Sequence, residues 1–192
     1  MLRPRSCAPW IAVALVLAGL CAACSRPKPQ TLPRQILASL APADQVVLLR
    51  VLEPEQAGRV ALVVRPGGGK PELRLYGTRD GRPVLDYTAR QGDEFINLML
   101  EDVNGDGDPE ILTTWSGGHL EILDVIGRSP QGAYGSLFQN AGRRIEQRHR
   151  PDGSLEFLIT SRTYEETGTE PPTYETVPYV WDGHTFAEAR AP

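Results

Sequence analysis

The chain has 192 residues, 41% of them hydrophobic and 23% charged, with 24 acidic against 20 basic side chains and a formal net charge of −4. No basic stripe is present to release counterions from phosphates, which excludes nucleic acid as a partner. All three cysteines fall in the first 24 residues, so the rest of the chain has no disulfide and must be held by its core, by bound metal or by partners.

Residues 1–23 read as an export signal. Arg3 and Arg5 form a positive n-region, and Ala8 to Leu20 form an apolar run of 13 residues, too short for a comfortable membrane span. The run closes on Cys21-Ala22-Ala23-Cys24, small residues directly before a cysteine. This resembles a bacterial lipoprotein signal, departing from it at Cys21, where an aliphatic residue is commoner. The resemblance implies a lipidated Cys24 as the mature N-terminus, membrane attachment through that lipid, and a place in the cell envelope. Two or more acyl chains make such attachment durable. Ser25 after the cysteine favours the outer membrane, with the domain facing periplasm or surface. An ordinary secretory signal cut near Ala22 or Ala23 is the alternative. Removing residues 1–23 takes away Arg3 and Arg5, leaving 18 basic against 24 acidic side chains, a net of −6.

Residues 24–43 carry prolines at 27, 29, 33 and 42 and read as the lipid anchor and a semi-extended tether. A short helix fits Arg34–Leu40, with Ile36, Leu37 and Leu40 on one face, and a stub of that length needs docking to persist. Residues 44–192 read as a β-repeat domain. Strands are predicted at Val46–Leu52, Val60–Val64, Glu72–Tyr76, Val84–Thr88, Phe95–Leu100 and Ile111–Trp115. Further strands follow at Leu120–Val125, Tyr134–Gln139, Arg144–Arg148, Leu155–Thr160, Tyr174–Trp181 and Thr185–Glu188. Asp80-Gly81, Gly117-Gly118, Asp152-Gly153 and Asp182-Gly183 supply turn chemistry between them. Spacings near ten residues without long helical periods indicate an all-β fold.

The segment Asp106-Gly107-Asp108-Pro109-Glu110-Ile111-Leu112-Thr113-Thr114 recurs 46 residues later as Asp152-Gly153-Ser154-Leu155-Glu156-Phe157-Leu158-Ile159-Thr160. A fainter copy starts at Gly58-Arg59-Val60. Repeats of four strands run about 40–50 residues, so this period fits β-propeller-blade-like units. About three such units would make an open or partial propeller or a small sandwich-like stack, because closed propellers take at least four blades. Chance similarity of two hairpins is the competing account.

Asp102-Val103-Asn104-Gly105-Asp106-Gly107-Asp108-Pro109-Glu110 crowds five oxygen-bearing side chains into nine residues. So many carboxylates repel one another unless solvated, protonated or bridged, and a hard divalent cation resolves that repulsion best. Alternate positions in a tight loop aim at one centre, and Gly107 permits the turn. The pattern resembles the calcium loop of FG-GAP and VCBS repeats. That resemblance implies a structural Ca2+ held by the side chains of Asp102, Asn104, Asp106 and Glu110 and by the carbonyl of Asp108. Glu in place of Asp at the last position is a mild departure. The EF-hand pattern fails, since its twelfth position is Thr113. A solvated Asp/Asn/Gly turn without an ion is the alternative. In the later copy, Arg148 and Arg150 fall at the first two ligand places, and their charge predicts a metal-free unit.

His119, His149 and His184 are scattered beside turns, and Ser116, Ser136 and Ser161 lack a nucleophile-elbow pattern. Gly67-Gly68-Gly69-Lys70 lacks the spacing of a phosphate loop. Arg162 to Pro178, with Tyr164, Tyr174, Glu165, Glu166 and Glu170, is a polar connection where a binding surface could sit. Trp115 and Trp181 read as core. The sequence thus points to a non-enzymatic, lipid-anchored binding or scaffold module with an envelope protein as partner. A hydrolase-like protein using loop residues such as Glu94 or Glu101, or a unit completing a propeller with other chains, are the other readings.

Overall fold

A computed structural model describes residues 31–52, 58–129, 131–163 and 172–189. One α-helix, a single 3-10 turn at Pro66–Gly68 and twelve strands form among them: α1 (Leu32–Ser39), β1 (Gln45–Val51), β2 (Val60–Arg65), β3 (Glu72–Arg79), β4 (Arg82–Ala89), β5 (Glu94–Glu101), β6 (Glu110–Gly117), β7 (Leu120–Arg128), β8 (Tyr134–Gly142), β9 (Arg144–His149), β10 (Leu155–Thr163), β11 (Thr173–Trp181) and β12 (Phe186–Glu188). Every predicted strand is present, most of them longer by a few residues. The alternating and β-branched runs locate strands well because a pleated surface accepts those side chains on both faces.

The strands form three four-stranded antiparallel meanders, β1–β4, β5–β8 and β9–β12, none closed on itself. In each sheet the second strand is the most buried. Val60 to Val64 of β2 are wholly buried, so this run needs apolar side chains on both faces. β6 and β10, the second strands of the other sheets, begin with the two copies of the 46-residue repeat. The copies therefore hold corresponding places in two different sheets, and the faint copy at Gly58 leads into β2.

The sheets stack through two apolar layers. Ala61, Val63, Leu73 and Leu75 of the first sheet meet Leu98, Ile111, Trp115 and Ile126 of the second. Leu112, Leu123 and Val125 of the second meet Leu155, Phe157, Ile159 and Phe186 of the third. Burying each of these large aliphatic or aromatic side chains contributes roughly 1.5–3 kcal/mol. On the other face of the first sheet, α1 covers Val60, Leu62 and Val64 with Ile36, flanked by Leu32 and Leu40. The short helix has the docking it needs. Leu37 departs from the expected face and is 44% exposed, because the residues that meet the sheet are spaced by four, at 32, 36 and 40.

Trp115 is fully buried, edge-on to Phe95, and donates from Nε1 to Thr113 Oγ1 at 2.9 Å. Trp181 packs against the second apolar layer beside Phe186. Trp115 is thus a core residue, and Trp181 packs half-buried against the edge of the core.

Candidate metal centre

The acidic loop joins β5 to β6, at the same end of the stack as the turns Asp80-Gly81, Asp152-Gly153 and Asp182-Gly183. Its shape comes from side chains that take the role of backbone partners. Asp102 Oδ1 accepts from Gly105 N–H at 2.8 Å, and Asp102 Oδ2 accepts from Gly107 N–H at 3.0 Å. Asn104 Oδ1 accepts from Asp106 N–H at 2.8 Å, and Asp106 Oδ1 accepts from Asp108 N–H at 2.8 Å. Each is a local carboxylate or amide turn of the kind Asp and Asn favour. Gly105 and Gly107 hold φ of +76° and +88°, the left-handed region that side chains resist.

Glu110 lies beneath this loop, 3% exposed. Its Oε2 accepts from Val103 N–H at 3.0 Å, and its Oε1 accepts from Asn104 Nδ2 at 2.9 Å. The same Asn104 Nδ2 donates to Asp106 Oδ2 at 3.0 Å, so one neutral amide stands between two carboxylates. Burial pushes the Glu110 carboxyl up. The Val103 N–H pulls it back, and the charges of Asp106 and Asp102 raise it again. The strand register adds another acid, because Glu101 is directly opposite Glu110. Like charges opposed across a sheet are destabilising. Among the described residues no cation pairs with Glu110, and no group of three or more His, Cys, Asp or Glu side chains is placed to hold a metal ion. The amide of Asn104 fills the space between Asp106 and Glu110, and both oxygens of Asp102 are turned to backbone N–H groups.

Asp108 behaves differently. Its carboxylate points away from the loop, 3.5 Å from Arg59 and 3.4 Å from Arg128, and Arg59 also donates to Tyr134 Oη at 2.8 Å. Its carboxylate is therefore committed to the two arginines rather than to the loop.

In the third sheet the corresponding connection joins β9 to β10. Gly153 has φ of +85°, close to Gly107, and Asp152 Oδ1 accepts from Ser154 N–H at 2.9 Å, as Asp106 does from Asp108. Ser154's hydroxyl and amide hold the Asp152 carboxyl below its ordinary value. Glu156, 6% exposed, matches Glu110, but its directly opposed residue is Arg148, whose Nε lies 2.5 Å from Glu156 Oε2. Glu101, rather than Asp102, is therefore the structural counterpart of Arg148. The loop of the second sheet is one residue longer, which displaces the alignment drawn from Asp106 and Asp152.

The other residues singled out from sequence do not converge. Glu94 and Glu101 stand at opposite ends of β5, so only Glu101 is near the loop. His119 lies in the β6–β7 turn, His184 in the β11–β12 turn, and His149 ends β9 with Nε2 3.8 Å from Glu101 Oε1. Ser136 Oγ donates to Asp124, and no Ser–His hydrogen bond occurs among the described residues. Tyr164, Glu165, Glu166 and Glu170 lie outside the described residues. One buried acid escaped the sequence reading. Asp124 is fully buried between the first and second sheets, accepting from Ser136 at 2.5 Å and Gln91 at 3.0 Å. Burial pushes its carboxyl up, and these two donors offset part of the effect. An Asp inside the apolar run Ile122-Leu123-Asp124-Val125-Ile126 was the available signal. Comparisons of the chain with family models, with curated proteins and with solved structures found no match.

Proposed function

We propose that the 102–110 loop is a structural calcium site of the FG-GAP/VCBS kind, in a β-domain built of propeller-blade-like units. The domain is anchored to the cell envelope through a lipidated Cys24 and acts as a binding or scaffold module. The observation that carries the metal reading is Glu110: a buried carboxylate that has no cationic partner among the described residues and faces Glu101, Asp102 and Asp106. A divalent ion neutralises such a cluster more completely than the Asn104 amide can. Asp102, Asn104, Asp106 and Glu110 would supply side-chain oxygens, and Asp108 its carbonyl. Ion entry requires Asn104 to rotate its amide out of the space between Asp106 and Glu110, so binding rearranges the loop locally. The role is structural, because the ion ties the β5–β6 connection to the base of β6. The lipid anchor is supported by Cys21-Ala22-Ala23-Cys24 and by the absence of any cysteine after Cys24 in the sequence. The blade-like reading is supported by three successive four-stranded meanders with repeat copies opening corresponding strands.

Calorimetric titration of the chain from Cys24 onward with calcium tests the metal reading. Extracellular-type sites bind with dissociation constants on the order of 0.1–1 mM, and an ion that binds only the folded state raises the melting temperature by mass action. Binding heat that disappears in Asp106→Ala is the expected result. Calcium heat of equal size in that variant would reject the loop as the site. Calcium-dependent hydrolysis by the purified protein would favour the enzyme reading instead.

A further inference from the structure

At the end of the stack remote from the acidic loop, a cleft of about 540 Å³ is lined by His119, Leu120, Arg143, Arg162 and Tyr174. The acidic loop precedes β6 and His119 follows it, so the length of that eight-residue strand, about 25 Å, separates the two. Among the described lining residues, His119, Arg143 and Arg162 carry or can take positive charge, and none is acidic. Arg143 donates from Nη1 to Tyr174 Oη at 3.2 Å, and its guanidinium carbon stands 5.2 Å from the centroid of that ring. Its neighbours along the chain are neutralised, Arg144 by Glu146 and Arg148 by Glu156. Among the described residues no carboxylate pairs with Arg143 or His119. Leu120 and Tyr174 are each 46% exposed, so the cleft also offers apolar surface to a ligand.

We propose that this cleft binds the anionic group, carboxylate or phosphate monoester, of a small organic ligand with a flat apolar body. Arg143 presents a planar fork of donors suited to such a group, and Tyr174 holds that fork in place, so little side-chain freedom is lost on binding. His119 adds a second donor. The body of the ligand lies against Leu120 and the Tyr174 ring. This extends the reading of the domain as a binding module and rests on that part of it, while standing apart from the calcium loop.

Calorimetric titrations of the chain from Cys24 onward with phenyl phosphate, benzoate, inorganic phosphate and neutral benzyl alcohol test it. Phenyl phosphate or benzoate binds, the tighter of the two identifying the head group, and benzyl alcohol does not. Arg143→Gln weakens that binding about tenfold or more, the loss expected for a charge-assisted bond. Tyr174→Leu weakens it independently, because the ring and its hydroxyl go while an apolar wall remains. Chelator leaves the affinity unchanged, so failure of the calcium reading and failure of this one are read separately. Equal affinity for benzyl alcohol, unaltered affinity in Arg143→Gln, or no binding of either organic anion would overturn the proposal. Inorganic phosphate binding as tightly as phenyl phosphate would overturn the part given to Leu120 and Tyr174.

Discussion

Glu110 and Glu156 open corresponding strands in neighbouring sheets, both are buried, and both follow a turn with glycine at positive φ. What differs is the residue across the ladder. Arg148 faces Glu156, and Glu101 faces Glu110. One unit carries its counter-charge within the chain. The other surrounds its acid with more acid and leaves an amide to stand between them. The same local shape thus serves two electrostatic solutions, one closed by an arginine of the chain and one that, on the function proposed above, an ion completes.

The largest effect expected from breaking this pair is in the third sheet. Arg148→Met leaves Glu156 buried without a cation. Removing one partner of a buried pair costs about 3–5 kcal/mol, and because the Arg148 side chain is 60% exposed the expected loss is lower, about 2 kcal/mol by denaturant unfolding. Calcium should not restore it. Glu101→Arg tests the converse, placing an arginine where the third sheet has one. Calcium-free stability should rise by about 1 kcal/mol as the opposed like charges become a pair, and the calcium response should shrink. A variant less stable than the parent, with calcium binding intact, would show that the two units are not electrostatic counterparts. Gly107→Ala and Gly153→Ala should each cost about 1 kcal/mol, since both glycines hold φ that L-residues resist. Unequal costs would show that the two turns differ more than their dihedrals indicate.

The pH dependence separates the units with a smaller effect. Glu110 has a raised carboxyl in the folded protein, so the fold holds its proton more tightly than the unfolded chain does. Its contribution is present below the ordinary carboxylate range and is lost as pH rises through the raised value. Asp124 acts in the same sense. Glu72, buried but held low by hydrogen bonds from Arg74 and Arg90, acts in the opposite one, and its contribution is lost as pH falls through the lowered value. Chelated protein should therefore be most stable at mildly acidic pH. Calcium should stabilise increasingly as pH rises and Glu110 ionises. A calcium effect independent of pH across that window would contradict the assignment of Glu110 as a ligand.

The strands and turns were legible in sequence because short β-branched runs between Asp-Gly or Gly-Gly pairs leave few alternatives. The likeness of the turns before β6 and β10 was legible too, since matched Asp, Gly and Glu fall at fixed offsets. The register was not. A single extra residue in the β5–β6 loop makes Asp102 look like the counterpart of Arg148, whereas the ladder pairs that arginine's place with Glu101. Cross-strand partners depend on loop length, which an alignment of two turns does not resolve. The contact of Arg143 with Tyr174, 31 residues apart, was hidden for a similar reason, because it exists only once β8 has crossed to β9 and β11 has returned. Asp124 was hidden among apolar neighbours, where alternation marks a face and not the donors waiting on the next sheet.

The most direct measurement is a calcium titration followed by amide NMR on the uniformly labelled chain from Cys24 onward. The account predicts that resonances of residues 102–110 move and saturate at millimolar calcium, with Asn104's side-chain amide shifting most as it leaves Asp106 and Glu110. The resonances of residues 148–156 should stay in place, because Arg148 already neutralises Glu156. Equal shifts in both connections, or none in either, would contradict it.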